Sequence, residues 1–285
     1  MKKAVRDDPS IPDRNRAAEG SIMKVLRSTI IDLPPETVWT EVQTARLLKH
    51  IAWPLVRFAP AGEEKFEEFE AGGRYRVKLR LFGILPFGTQ WIVTSVHEPD
   101  VGRWPKQLRD NGHSALIEKW DHWIIIAPDE EGGTRYRDEV DISAGLMTPF
   151  VWAFAQVFYQ HRQRRWRGLS RTLHARRLVD QEMAIHAEAR AAGEMAAAWH
   201  TLERAHIIAQ PYLAPHLASH RAMLGFAVEQ RDWREAVGQM VRLALALLGF
   251  LTGRIPVGNT GCSNVSPFKP MPIAPDLLAK INDGG

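Results

Sequence analysis

The sequence predicts an α+β fold in which an antiparallel sheet is closed by one long helix and followed by a small all-α helical domain. Three observations carry that reading. Arg74 to Leu81 alternate between basic and apolar side chains, the signature of a strand with one wet face. In Thr148 to Leu173 the residues Val151, Ala155, Phe158, Trp166, Leu169 and Leu173 share one side at helical spacing, interrupted by Arg162 and Arg165. From Val179 onward the composition turns Ala-rich and helical, with no further strand pattern.

At 285 residues the chain is long for one domain. The reading adopted is a disordered lead-in over 1–20, a first domain over 21–178 and a helical domain over 179–285. The lead-in is polar and charged and lacks the apolar segment of a signal peptide. A net charge of +4 identifies no partner. The single cysteine, Cys262, excludes an internal disulfide framework and fits a reducing cytoplasm, the expected location. Membrane insertion is not expected, because the longest apolar run, Leu243 to Leu251, is too short to span a bilayer. Its flanking Arg242 and Arg254 leave a membrane-surface role open beside the reading as a buried helix.

Taken in order, Met23 to Ile31 reads as a strand, Leu33-Pro34-Pro35 as a turn and Glu36 to His50 as one amphipathic helix. Gly72-Gly73 opens the basic and apolar strand. Gly83 to Pro86 turns the chain, and Thr89 to Val96 runs back. Glu98 to Gly112 is polar and reads as a loop. Ser114 to Ile126 is the next strand, Asp129 to Gly133 a turn, and Thr134 to Ala144 the last strand before the long helix.

That order, with GGRYRVKLRLFG, WDHWIII, TRYRDEVDI and FVWAFAQVFYQHRQRRWRGL, resembles the START-like superfamily. This is the helix-grip fold of polyketide cyclases, birch-pollen-type allergens and coenzyme-Q-binding proteins. The resemblance implies a cavity between sheet and helix that holds a hydrophobic small molecule such as a lipid, a polyketide or a quinone-like compound. Members range from carriers to cyclases and hydrolases, so it leaves open whether the protein is an enzyme.

Both faces of the 114–126 strand mix apolar and ionisable groups, and a one-residue slip exchanges them. With the Trp120/His122 face turned inward, the expected wall includes Tyr75, Val77, Leu79 and Trp91. Leu116, Trp120, Val140, Phe154 and Phe158 complete it. In that register Glu118, His122, Asp138 and Tyr136 gather as polar groups in an apolar interior. They either anchor a ligand's polar end or form a tuned acid–base pair for cyclase- or hydrolase-type chemistry. No nucleophile motif is present. The Arg-rich end of the helix, with Trp166 among its arginines, reads as a solvated face, and no nucleic-acid partner is expected.

In the second region, helices are expected over Ala184–Ile208 with a break near Gly193, over Leu213–Glu229 and over Arg234–Leu248. A faint echo at an offset of 38 residues (Gly193 and Arg231) suggests tetratricopeptide-like hairpins and a surface for a protein partner. AWHTLERAHIIAQPYLAPHLASHRAML and GRIPVGNTGCSNVSPFKPMPIAPDL resemble a small bacterial family of unknown function, number 3703.

The spacing here carries chemistry of its own. Glu203 and His206 are three apart on one helix, and His216 and His220 four apart on the next, so each pair shares a face. A fold-back at Pro211 brings the four together as candidate ligands for one zinc, iron or copper ion. Packed core histidines satisfied by hydrogen bonds are the alternative. His200 points to the opposite side. The stretch from Gly253 to Pro275 reads as irregular, its part Arg254 to Gly261 as a lid over the histidine face, and Asp276 to Ile281 as a last short helix.

Overall fold

A computed structural model describes residues 22–62, 67–100, 102–252 and 255–282. The expected lead-in 1–20 and Arg254 lie outside these. The strands are β1 (Met23–Ile31), β2 (Val56–Pro60), β3 (Arg74–Leu81), β4 (Leu85–His97), β5 (Lys106–Ser114), β6 (Lys119–Pro128) and β7 (Thr134–Ser143). Two short helices, α1 (Pro35–Val42) and α2 (Ala45–Ala52), separate β1 from β2. The strands form one antiparallel sheet in the order β1-β7-β6-β5-β4-β3-β2, and a long helix, α3 (Thr148–Ala191), follows. The α+β, helix-grip class read from the sequence is the one observed.

Local chemistry explains where elements begin and end. The single helix expected over Glu36–His50 is two. At the break, the Thr44 hydroxyl accepts the Leu47 N–H at 3.1 Å and donates to the Glu41 carbonyl at 2.8 Å, capping α2. The stretch read as a loop over Glu98–Gly112 contains most of β5, which lacks an apolar alternation but is held by its ladder to β4. β6 starts at Lys119 rather than Ser114, because the Ser114 N–H donates to the Ile117 carbonyl at 2.9 Å and closes a turn.

The apolar stripe of the long helix fades near Leu173, yet the helix runs to Ala191, through the composition change at Val179. It stops at Gly193, whose φ of +78° suits glycine. There the Glu194 N–H reaches the Ala189 carbonyl and the Gly193 N–H the Arg190 carbonyl, a Schellman termination. Then come α4 (Met195–Ala209), α5 (Leu213–Glu229), α6 (Trp233–Thr252) and, after an irregular segment, α7 (Pro275–Asn282).

The chain divides into two compact units. The first comprises the described residues of Met1–Ser28, Glu41–Ile125 and Arg137–Arg162; the second those of Thr29–Thr40, Ile126–Tyr136 and Gln163–Gly285. In the first, Val77 and Leu79 of β3, Ile92 of β4, Trp120 of β6 and Val140 of β7 pack against Val151, Ala155, Phe158 and Tyr159 of α3. Full burial of a large apolar side chain contributes roughly 1.5–3 kcal/mol, so this face is what seats the helix. Arg162, which interrupts the apolar stripe in sequence, is buried with its guanidinium 4.9 Å from the Tyr159 ring centre. In the second unit one core gathers Ala198, Leu202, Met223 and Phe226, and another Ala175, Leu178, Ile208 and Leu277.

Candidate metal centre

His206 on α4 and His216 and His220 on α5 meet across the turn at Pro211, and all three are buried. Their ring centres lie 4.8, 4.5 and 4.9 Å apart (206–216, 206–220, 216–220). One donor atom from each lies within 4.8 Å of the others. Metal–nitrogen bonds of about 2.1 Å in a tetrahedral site place nitrogens roughly 3.4 Å apart, so the rings have to draw together to hold an ion.

The hydrogen-bond network assigns the protons on two of the rings. The Ser219 hydroxyl donates to the His216 carbonyl at 2.8 Å, so at 3.0 Å it accepts from His206 Nδ1. Gln239 is oriented by donating its amide to Glu235 Oε1 at 2.7 Å and to the Gly261 carbonyl at 2.8 Å. Its oxygen therefore accepts from His220 Nδ1 at 2.7 Å. Both rings carry their proton on Nδ1, as metal-bound imidazoles held by a neighbouring acceptor do; the Nε2 lone pair of His206 faces the Gln210 amide at 3.4 Å, which an ion would displace. His216 Nδ1 is buried with no hydrogen-bond partner.

Electrostatics keep the rings neutral. Burial, then the neighbouring imidazoles and Arg242, hold His206 well below the ordinary range. Burial, His220 and Arg242 bring His216 down to about 4. His220 is also lowered, chiefly by burial, although its bond to Gln239 opposes this.

The segment Gly258–Cys262 covers this face. Gly261 has φ +83°, and a Cβ there would sit 2.8 Å from His206 Nε2. Gln210 ties the segment down, accepting from the Gly258 N–H at 2.9 Å and donating to the Asn259 carbonyl at 2.8 Å. The same Gln210 amide is 3.4 Å from His206 Nε2 and lines a pocket of about 550 Å³ whose walls include Ala175, Leu178, Ile207, Tyr212 and Val257. That volume suits a small organic molecule.

Glu203, the fourth expected ligand, is not grouped with the three histidines. Its carboxylate accepts the Cys262 thiol at 3.0 Å, and burial with that bond raises the thiol far above its usual range. His200 is exposed, as its place on α4 implied. The sequence reading missed Gln239, Ser219, Gln210 and Gly261. Glu235, Gln239 and Arg242 at spacings of four and three were a visible signal: a polar stripe on an otherwise apolar helix.

In the first unit, His122 Nε2 and Asp138 Oδ1 are 2.8 Å apart and both residues are buried. The His122 ring centre lies 4.9 Å from that of Tyr159, whose buried hydroxyl Trp120 approaches without reaching hydrogen-bonding geometry. Asp110 keeps some exposed surface as a residue, but burial of its carboxyl pushes it up to about 7, opposed by the Val93 N–H and Arg162. Val77, Leu79, Trp120, Val140 and Phe158 join the core, with Tyr75 and Phe154 packed at its edge.

Four expected residues lie elsewhere. Trp91 pairs with Arg76 across the ladder and so shares the outer face, with the Arg74 guanidinium 5.4 Å from its ring centre. Leu116 and Glu118 sit in the turn before β6 and are exposed, Glu118 accepting from Ser143 at 3.3 Å. Tyr136 is buried but belongs to the second unit.

An α+β unit joined to a histidine-bearing helical unit is thus the class that fold and site define. Residues 173–281 match the model of a family described as a protein of unknown function (DUF3703), the family the sequence resembled. Residues 29–170 match a domain of unknown function (DUF8410). Among solved structures, a START superfamily protein from Mycobacterium smegmatis is 16% identical, with 53% of this chain and 98% of that chain covered and a TM-score of 0.37. Ara h 8.0201 is 12% identical, with 53% and 98% covered and a TM-score of 0.36. Protein CV1439 from Chromobacterium violaceum is 14% identical, with 52% and 96% covered and a TM-score of 0.40. No curated protein matches the chain.

Proposed function

We propose that this protein binds one zinc or copper ion through His206, His216 and His220. The observation that carries the proposal is the pair of Nδ1 protons committed to Ser219 and Gln239, which leaves neutral nitrogen donors inside a buried cluster. Three imidazoles without a carboxylate suit zinc or copper, whereas non-haem iron sites characteristically add a carboxylate. Arg242 works against a cation here, and the buried carboxylate of Glu235 opposes it at His220 to a smaller extent. With three protein ligands, a bound ion keeps a position for water or an organic ligand, which polarises whatever occupies it. The pocket beside Gln210 is lined by none of the three histidines, so a small molecule there would reach the cluster only through Gln210.

The test is elemental analysis of protein prepared without a polyhistidine tag, with titration of zinc(II) and copper(II). One ion per chain is expected, abolished by His216→Ala with His220→Ala. A hundredfold excess of ligand over its Kd raises stability by about 2.7 kcal/mol. No bound ion and no shift of the unfolding midpoint with either metal would remove the proposal.

A second function is proposed for the first unit: binding of a hydrophobic small molecule, of lipid, polyketide or quinone-like type, beneath α3. The buried His122–Asp138 pair in an apolar interior supports it, since such pairs anchor a ligand's polar end or exchange protons with it. Organic extraction and mass spectrometry of the purified protein test this. Extracts holding no more apolar compound than those of an unrelated control, together with no uptake of added fatty acid, would refute it.

A further inference from the structure

Helix α6 is built inside out. Its buried residues are Glu235, Ala236, Gln239, Arg242 and Ala246, so the polar side chains turn inward to support the histidine cluster. Glu235 is held by the Ser263 N–H, and Arg242 donates to the Cys262 carbonyl at 2.7 Å. The opposite side carries Trp233, Val237, Met240, Ala244, Leu247 and Leu251, all exposed, with Trp233 at 64% and Leu251 at 76%. At 3.6 residues per turn these six, with Val241 and Leu248, fall within about 120° of the helix surface.

The spacing identifies what fits there. Val237, Ala244 and Leu251 recur every seventh residue, and Trp233, Met240 and Leu247 do so in the other seam position. Alternate steps of four and three are the a and d pattern by which one helix packs against another. Ala244 lies near the middle of the stripe, where a small side chain lets a facing helix come close. The seam runs about 27 Å.

We infer that α6 pairs with α6 of a second copy of this chain, forming a homodimer through this stripe. The seam contains no charged residue, so two copies can face one another without burying a charge, and Arg234 is exposed at a flanking position beside it. Seven large apolar side chains, each about half exposed or more, give an area of the order of the roughly 800 Å² per partner of a standard interface. A membrane surface is the poorer match. α6 is long and apolar enough to cross a bilayer by length and composition, yet Glu235, Gln239 and Arg242 are engaged on its other side. Arg242, expected from the sequence to flank an interfacial helix, is buried, so it supplies no cation to anionic headgroups. The stretch 1–20 is too polar to lay a matching seam of its own chain on the stripe.

The pairing uses the side of α6 turned away from the histidines, so it stands or falls separately from the metal proposal. The test is light scattering after size exclusion on the full chain, beside flotation with neutral and anionic phosphatidylcholine/phosphatidylserine vesicles. The parent protein is expected at twice the chain mass without vesicle binding. Met240→Asp with Leu247→Asp halves that mass while far-ultraviolet dichroism and metal content stay unchanged. Met240→Ser with Leu247→Ser gives the same halving if the charged pair misfolds. A monomeric parent, a dimer that survives both double variants, or vesicle binding abolished by the same variants would overturn the inference.

Discussion

Replacing Gly261 with alanine probes the histidine cluster without touching a ligand. A Cβ at 261 lies 2.7 Å from His206 Cδ2 and 2.8 Å from Nε2, where ordinary contact starts at 3.4 Å, so something must shift by about 0.7 Å. Neither side yields freely. The His206 ring is fixed by Ser219, while Gly261 is fixed through its N–H to Asn259 Oδ1 and its carbonyl to Gln239. A non-glycine residue at φ +83° costs about 1–2 kcal/mol, and overpacking about 1–3 kcal/mol more. The expected loss is therefore about 2–5 kcal/mol in denaturant unfolding of the second unit. A displaced imidazole should also weaken metal binding about 10–100-fold, as losing the groups that orient a ligand does. Both are read from one preparation, by urea titration and by competition with a chelator. An alanine variant that keeps the parent's zinc and copper affinity would refute the placement of His206 as a ligand.

Three further outcomes follow from the same reasoning. Gln239→Leu strips hydrogen bonds from His220 Nδ1, Glu235 and the Gly261 carbonyl. It should cost about 3 kcal/mol in urea unfolding and weaken metal binding. Asp110 has a folded value raised from 3.8 to about 7, so its folded form binds the proton more tightly. Stability should fall as pH rises through that window, by up to about 1.4 kcal/mol per unit, and Asp110→Asn should flatten this slope in pH-dependent urea midpoints. His122→Ala removes the partner 2.8 Å from buried Asp138 and should destabilise the first unit by about 3 kcal/mol. Metal content, measured in parallel, should not change.

Legibility followed how local each signal was. The β3 alternation, the α3 stripe, the Gly193 break and the limits of α5 were all written in spacing and turn chemistry, and the structure has them. β5 was not legible. KQLRDNGHS carries no alternation, and its conformation comes from the neighbouring strand. Trp91 was misplaced because its facing follows from its pairing with Arg76, a register that residue types alone do not show. The three histidines were legible because helical spacing and a proline turn set their faces. Glu203 shared that spacing, but the thiol of Cys262, distant in sequence, takes its carboxylate. The polar stripe of Glu235, Gln239 and Arg242 was visible in the spacing, but what it supports was not, because α6 lies two elements beyond α4.

The lone thiol has a practical consequence. Cys262 is buried, bonded to Glu203 and held protonated, in the segment that closes over the histidines. Alkylating reagents attack the thiolate, so modification has to wait until that segment lifts. The rate of iodoacetamide capture is therefore a clock for excursions of the strap, with one chemical event per molecule. An ion clasped beneath the strap would slow that clock, and strip-and-reload cycles would read the change without any knowledge of a ligand or substrate.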